Sequence, residues 1–157
     1  MPRLLFLTRR NNFGYIARKV ADMSIIWEES LRLGVPAIDE QHEGIFGYFD
    51  KLSTALQERN GSGELIELLA YLDNYSTIHF RNEEELMGLY RYPGLEEQQQ
   101  QHAAFRENIV MFTDALAASE PTREIALKID AALIRYFINH VRKLDRKMVD
   151  HITSHPA

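Results

Sequence analysis

The chain has 157 residues, of which 45% are hydrophobic and 26% charged, a composition typical of one globular domain with a buried core. It has no cysteine, which excludes disulfides, thiolate metal sites, iron–sulfur clusters and cysteine nucleophiles, so any metal needs nitrogen and oxygen ligands. The net charge of −5 argues against a nucleic-acid partner, and no apolar run reaches the roughly 20 residues that span a membrane. We therefore expect a cytoplasmic protein.

Residues 1–22 have no clear period and carry five basic residues against one acidic residue. We interpret them as a basic, poorly ordered leader, followed by a single domain over residues 23–157. The alternative is that Met23 is the true start of the protein. Neither interpretation assigns the leader a function.

The next segment, residues 24–39, is predicted to be an extended arm. Gly34-Val35-Pro36 disfavours a helix there, because proline restricts the residue before it. Trp27, the only tryptophan, is expected to pack the arm onto the domain. Asp39 is expected to cap the first helix.

Four amphipathic segments follow, at about 40–59, 64–88, 95–118 and 121–150, each with apolar residues at helical spacing. Glycine- and proline-containing stretches separate them, and no segment alternates with a period of two. Short connections between long helices favour antiparallel neighbours. The predicted fold class is all-α: an up-down-up-down antiparallel four-helix bundle with an N-terminal arm.

Each predicted helix carries one histidine on its inward stripe, namely His42, His79, His102 and His140. A single histidine on an apolar face is most often a core residue with one hydrogen bond. One such histidine in every helix is better explained by a shared metal, because each buried imidazole needs a polar partner. His42 and His102 come early in their helices and the other two come late, so an antiparallel bundle brings all four to one end.

Carboxylates are needed beside the histidines to balance the charge of metal ions. Glu83 follows His79 by four residues, about 40° around the same helix face. It begins the run Glu83-Glu84-Glu85, whose last two members are expected to be solvated. Asp145 follows His140 by five residues, about 140° around a straight helix. Periodicity alone therefore pairs Asp145 with a nearby arginine, Arg142 or Arg146, unless the helix is locally distorted.

Taken in order, these motifs resemble the bacterial hemerythrins over about residues 24–150. The resemblance is carried by Ile38-Asp39-Glu40-Gln41-His42, His79-Phe80-Arg81-Asn82-Glu83-Glu84, the stretch from Pro93 to Phe105, and His140 with Asp145. It implies a four-helix bundle around two oxygen-bridged non-haem iron ions that binds dioxygen reversibly. Its cellular use could be storage, delivery or sensing, of which we favour storage or delivery by a protein that is not an enzyme. The sequence indicates no particular protein partner.

Carried over residue by residue, the resemblance implies that Glu83 and Asp145 bridge the two irons. His42 and His79 would serve the iron that takes up oxygen. His102 and His140 would serve the other iron. The resemblance, not periodicity, raises Asp145 to a ligand, and it implies no catalytic residue.

The sequence departs from the family at Gln98, where the resemblance expects a fifth histidine. An amide oxygen is a weaker, neutral donor. Three outcomes stay open: Gln98 coordinates, water opens the iron to peroxide or nitric oxide chemistry, or that iron is lost. The alternatives to an oxygen carrier are thus an iron-dependent peroxidase or nitric oxide-reactive enzyme, and a metal-poor sensing bundle.

Phe137, three residues before His140, is a less marked difference from the family. The resemblance implies a smaller aliphatic residue there, which helps to line the oxygen pocket. A phenyl ring there either narrows the pocket or only repacks the core. His151 and His155 are expected to lie past the end of the last helix and not to replace the missing ligand.

Overall fold

The computed structural model describes residues 27–58 and 61–155; the predicted leader and Met23 lie outside them. The predicted extended arm contains a short 3₁₀ helix (Glu29–Leu31), after which come three α-helices, α1 (Pro36–Glu58), α2 (Ser62–Leu89) and α3 (Leu95–Ala118). The fourth rod consists of α4 (Arg123–His140), a π-helical turn (Val141–Asp145) and α5 (Arg146–Ser154). These two ranges contain no strand. The predicted all-α four-helix bundle is confirmed.

Contacts between the ends of the helices show that neighbours run antiparallel. Lys51, late in α1, pairs with Glu67, early in α2. Arg123 Nε, at the start of α4, donates to the backbone oxygen of Leu56 near the end of α1, at 2.6 Å. The order of the helices therefore brings the start of α1 beside the end of α2 and the end of the fourth rod.

The core is apolar at one end of the bundle and becomes polar toward the other. Leu52 and Leu56 of α1 pack with Leu65 and Leu68 of α2, all fully buried. The turn between these helices needs a glycine at Gly61, since its φ is +68° and a Cβ would lie 2.8 Å from Leu56. Toward the other end, buried histidine and carboxylate side chains continue the same inward stripes.

The arm differs from its prediction in where the first helix begins. Helix α1 begins at Pro36, not near residue 40, because proline is well suited to a first helical turn. Asp39 lies inside that turn and accepts hydrogen bonds from the backbone nitrogens of Leu33, at 2.7 Å, and Gly34, at 2.9 Å. It thus anchors the arm instead of capping the helix. The packing of Trp27 is confirmed: its ring meets that of Phe46 edge-on at 5.4 Å.

The fourth rod is longer than predicted and is not a straight helix. It ends at Ser154, so His151 lies inside α5, where its ring nitrogen contacts the backbone oxygen of Tyr90 at 3.2 Å. Across the described residues, we find no helix both long enough and apolar enough to cross a lipid bilayer.

Candidate metal centre

The histidines meet in two pairs at one end of the bundle. His42 of α1 and His79 of α2 face each other, with their Nε2 atoms 3.1 Å apart. His102 of α3 and His140 of α4 face each other in the same way, at 3.2 Å. All four side chains are buried. The topology thus brings together the four residues that the inward stripes indicated.

Glu83 lies between the two pairs and turns one oxygen toward each. Its Oε1 is 3.1 Å from His79 Nε2, and its Oε2 is 3.4 Å from His102 Nε2. The Glu83 side chain is fully buried. One carboxylate therefore spans both histidine pairs, as a bridging ligand would.

Asp145 spans the same two pairs from the fourth rod. Its Oδ1 is 3.1 Å from His140 Nε2, and its Oδ2 is 3.6 Å from His42 Nε2. The π turn makes this possible, because its wider winding returns a residue five positions on to nearly the same face. The ion pair that periodicity favoured is absent among the described contacts: Arg142 pairs with Glu28, and Arg146 donates to the arm's backbone.

The outer ring nitrogens of two histidines are fixed by acceptors. His79 Nδ1 donates to Gln41 Oε1 at 2.6 Å, and His102 Nδ1 donates to Glu84 Oε1 at 2.8 Å. A neutral imidazole that donates from Nδ1 keeps a lone pair on Nε2, the atom that faces the cluster. The expectation that Glu84 is solvated is therefore wrong: only Glu85 of that pair is exposed.

The electrostatics of the cluster suit a cation. Burial lowers the pKa of His42 and of His79 to about 3, so both imidazoles are neutral at pH 7. Burial, together with the charge of Asp145, raises the pKa of Glu83 to about 7. Burial would also raise the pKa of Asp145, but His140, His42 and His79 together outweigh it and hold that pKa at about 2. A cation near the two carboxylates would reduce the repulsion between their negative charges.

The donor atoms form two groups that fit two metal ions. Within each group, all donor atoms lie within 4.8 Å of one another: His42, His79, Glu83 and Asp145 in the first, and Glu83, His102 and His140 in the second. Both oxygens of Glu83 and Oδ2 of Asp145 are buried without a hydrogen-bond partner. Imidazole nitrogen with carboxylate oxygen suits iron, manganese or zinc. The donors present therefore fit the pair of metal ions that the sequence led us to expect.

Gln98 joins this cluster, one turn before His102 on the same face of α3. It is 1% exposed, and its Nε2 donates to Asp145 Oδ1 at 3.1 Å. Its Oε1 is buried without a partner. His151 and His155 lie outside the two donor groups, as expected.

Aromatic rings surround the first donor group. Tyr75 stacks on His79 with ring centroids 4.5 Å apart, and Phe137 meets His42 edge-on at 5.7 Å. Phe137 also contacts Phe46 and Phe49, so it belongs to the core as well as to the wall of the site. A narrowed pocket and a repacked core both stay predictions for Phe137.

Sequence reasoning missed the two acceptors behind the histidines, Gln41 and Glu84. Each of them is next in the chain to a site residue, Glu83 or His42, but the helix that each one faces depends on how the helices pack.

Comparison with known proteins agrees with the geometry. The family model of the Hemerythrin HHE cation binding domain matches residues 33–154. The chain is 28% identical to a bacteriohemerythrin of Stenotrophomonas maltophilia over 133 residues, 83% of each chain. It is 26% identical to a bacteriohemerythrin of Pseudomonas aeruginosa over 128 residues, 82% of this chain and 81% of that one. It is 31% identical to myohemerythrin-1 of Phascolopsis gouldii over 81 residues, 51% of this chain and 61% of that one. The chain belongs to the hemerythrin family, as an HHE cation-binding domain.

Proposed function

We propose that this protein holds two iron ions and binds dioxygen reversibly, and that it stores dioxygen or delivers it to oxygen-requiring enzymes. The observation that carries the proposal is the pair of buried carboxylates, Glu83 and Asp145, each with one oxygen toward each histidine pair. Two iron ions, when bound, supply the electrons for reversible binding of dioxygen. The names of the relatives, bacteriohemerythrin and myohemerythrin, support the same function.

Different side chains of the protein would bind each of the two metal ions. His42 and His79 would hold one ion, and His102 and His140 the other. Glu83 and Asp145 would bridge the two, and their two negative charges would offset part of the metal charge. His79 and His102 are oriented by hydrogen bonds on their outer nitrogens, which keeps the inner nitrogens directed at the metals.

The surroundings of the site would keep water and protons away from it. Tyr75, Phe80 and Phe137 place aromatic rings against the histidines. An enclosed apolar wall admits a small neutral molecule such as dioxygen more easily than ions. Because Phe137 is larger than the residue that the family resemblance implies at this position, we expect it to slow the exchange of dioxygen.

The test is the iron content of the purified protein together with its absorption spectrum with and without oxygen. We expect two irons per chain and a visible band that appears with oxygen and disappears when oxygen is removed. Glu83→Gln should lose most of its iron because it removes a charge shared by both donor groups, whereas Glu85→Gln, on the exposed face, should keep it. Less than one iron per chain after anaerobic reconstitution would contradict the proposal.

A second candidate is an iron-dependent enzyme that acts on peroxide or nitric oxide. The observation that favours it is the amide of Gln98 beside Asp145, where an imidazole would bind iron more firmly. Sustained consumption of hydrogen peroxide or nitric oxide, without a stable oxygen-bound spectrum, would support this enzyme function and contradict the oxygen carrier. A protein that folds fully without iron and takes up none would instead be a metal-poor bundle.

A further inference from the structure

A groove between α3 and the fourth rod reaches one of the candidate metal ligands. Its volume is about 400 Å³, within the range of pockets that bind small molecules. Glu97 and Gln101 line it from α3, and His140 lines it from the fourth rod. A molecule in this groove would therefore lie against a side chain of the metal centre.

The ring of His140 is the part of the candidate centre that comes nearest to solvent. The residue is 7% exposed, whereas Glu83, Asp145 and the other three histidines are each at most 1% exposed. Its Nε2 faces the cluster, 3.1 Å from Asp145 Oδ1. Because electron transfer slows steeply with distance, the shortest way for an electron from the surface to the cluster is across this one imidazole.

The wall of the groove combines apolar and basic surface. Tyr136 and Leu144 are half-buried and lie beside His140 in the wall. Three exposed cations of the fourth rod also line the groove, namely Arg135, Lys143 and Lys147. The groove thus offers an apolar wall to the body of a ligand and positive charge to a group at its edge.

The positive charge of the groove is only partly offset. One acid, Glu97, lines the groove with the three cations, in a chain whose net charge is −5. Neither Lys143 nor Lys147 has an ion-pair partner among the described residues. A cleft lined mainly by one sign of charge attracts ligands of the opposite sign. The groove therefore favours an anion with an apolar body.

We propose that this groove is where electrons enter the protein, from a small anionic donor with a planar apolar body that reduces the iron pair through His140. The inference rests on the proposed di-iron function, because iron that has lost its electrons no longer binds dioxygen. A reduced flavin nucleotide has the required chemistry, since its flat ring carries a phosphate. The flavin gives up two electrons and two protons: one electron reduces each iron(III) to iron(II), and the protons pass to solvent.

The first test measures binding without any reaction of the iron. Fluorescence polarisation of oxidised flavin mononucleotide is compared with that of riboflavin, which has the same ring but no phosphate. The nucleotide should bind the wild-type protein more tightly than riboflavin does. Lys143→Glu and Lys147→Glu should each weaken its binding by roughly tenfold and leave that of riboflavin unchanged. Arg106→Glu is the matched control, with the same change of charge at an exposed residue of α3 outside the groove.

The second test follows the absorption of the oxidised, iron-loaded protein as each reduced flavin is added under nitrogen. The reduced nucleotide should reduce the iron faster than reduced riboflavin does, and high salt should remove the difference because it screens the lysines. Lys143→Glu should slow the reaction with the nucleotide alone, whereas Arg106→Glu should slow neither reaction.

Two results would contradict this inference alone. Equal binding of the two flavins, or equal losses in Lys143→Glu and Arg106→Glu, would show that the groove does not recognise the phosphate. Tight binding that depends on Lys143 but brings no faster reduction would show that the groove binds anions without admitting electrons. A wild-type protein that holds no iron would instead contradict the proposed function and this inference together.

Discussion

Single residues behind the histidines determine how well the site is held. Glu84 is the clearest case: its Oε1 accepts from His102 Nδ1 at 2.8 Å, and its Oε2 accepts from Gln99 at 3.4 Å. A carboxylate on the outer nitrogen fixes the tautomer of an imidazole and makes it a stronger donor. Glu84 therefore acts on the second donor group through His102.

Replacement of Glu84 by alanine should therefore weaken one metal more than the other. We expect Glu84→Ala to lower the affinity of the second metal by roughly 10- to 100-fold, measured by titration with Fe(II) under nitrogen. The first metal should be little affected, because His42 and His79 do not contact Glu84. Glu85→Ala, one residue on and exposed, is the control. Equal losses in the two variants would show that only the general acidity of this stretch matters.

For single residues, the sequence predicted which residues lie in the candidate site better than it predicted which side chains they contact. The four histidines and Glu83 could be placed because their spacing follows the helix period on a buried stripe. The roles of Gln41, Glu84 and Gln98 depend on which side chains of neighbouring helices they meet. Those contacts follow from the separation and rotation of packed helices, which no period within one helix reveals.

The arm and α1 are held together as one element by Asp39. Its two carboxylate oxygens accept from the backbone nitrogens of Leu33 and Gly34, and Arg146 adds a hydrogen bond to the oxygen of Arg32 at 2.7 Å. Trp27 then rests on Phe46, next to the start of the site. The arm thus closes the end of the bundle that carries the histidines.

Loss of the Asp39 carboxylate should release the arm. We expect Asp39→Ala to cost about 1–3 kcal/mol of unfolding free energy, because two backbone donors lose their acceptor. The emission of Trp27, the only tryptophan, should shift to longer wavelength as its ring leaves Phe46. Glu40→Ala, exposed on the same turn, should change neither chemical denaturation nor fluorescence. An unshifted Trp27 emission in Asp39→Ala would mean that packing alone holds the arm.

The limits of the four helices were predicted to within a few residues, with two informative errors. Pro36 begins α1 although proline usually suggests a break, because the first turn does not need its missing N–H. The π turn was not predicted, since nothing in Val141-Arg142-Lys143-Leu144-Asp145 marks it as different from an α-helix. The turn places Asp145 beside His140 of the same rod and beside Gln98 across the bundle.

At the scale of the whole bundle, Asp130 is a buried acid far from the candidate metal centre. Asp130 of α4 precedes His140 by ten residues, about 15 Å along the helix. It is fully buried, its Oδ2 accepts from Ser53 Oγ at 3.5 Å, and its Oδ1 has no hydrogen-bond partner. Burial raises the pKa of Asp130 from 3.8 to about 7, against a smaller opposite effect of the Ser53 hydrogen bond.

The contribution of Asp130 to the stability of the bundle should therefore fall as the pH rises from about 4 to about 7. Over that range the unfolded chain has lost the Asp130 proton while the folded chain keeps it, so rising pH favours unfolding. The cost reaches roughly 4 kcal/mol at most above pH 7, where both states are ionised. Asp130→Asn cannot ionise and should remove this part of the pH dependence.

The measurement is the free energy of unfolding of the metal-loaded protein at pH 4.5 and pH 8. The difference between Asp130→Asn and the wild-type protein isolates Asp130, because the other titrating groups are common to both. The variant should gain stability relative to the wild-type protein on going to pH 8. Asp114→Asn, exposed on α3, should show no such gain. A constant difference at both pH values would mean that Asp130 is already ionised in the folded state.

The π turn also matters for the choice of labelling sites on the fourth rod, because it changes which residues face outward. A residue four positions after His140 would face inward on a straight helix, yet Leu144 is only half-buried and Asp145 takes the inward place. Beyond the turn, each residue is rotated by about 100° from its straight-helix position. Because the chain has no cysteine, single introduced cysteines can be labelled cleanly. A series of outward-facing labels must therefore include one step that is a residue longer where it crosses residues 141–145.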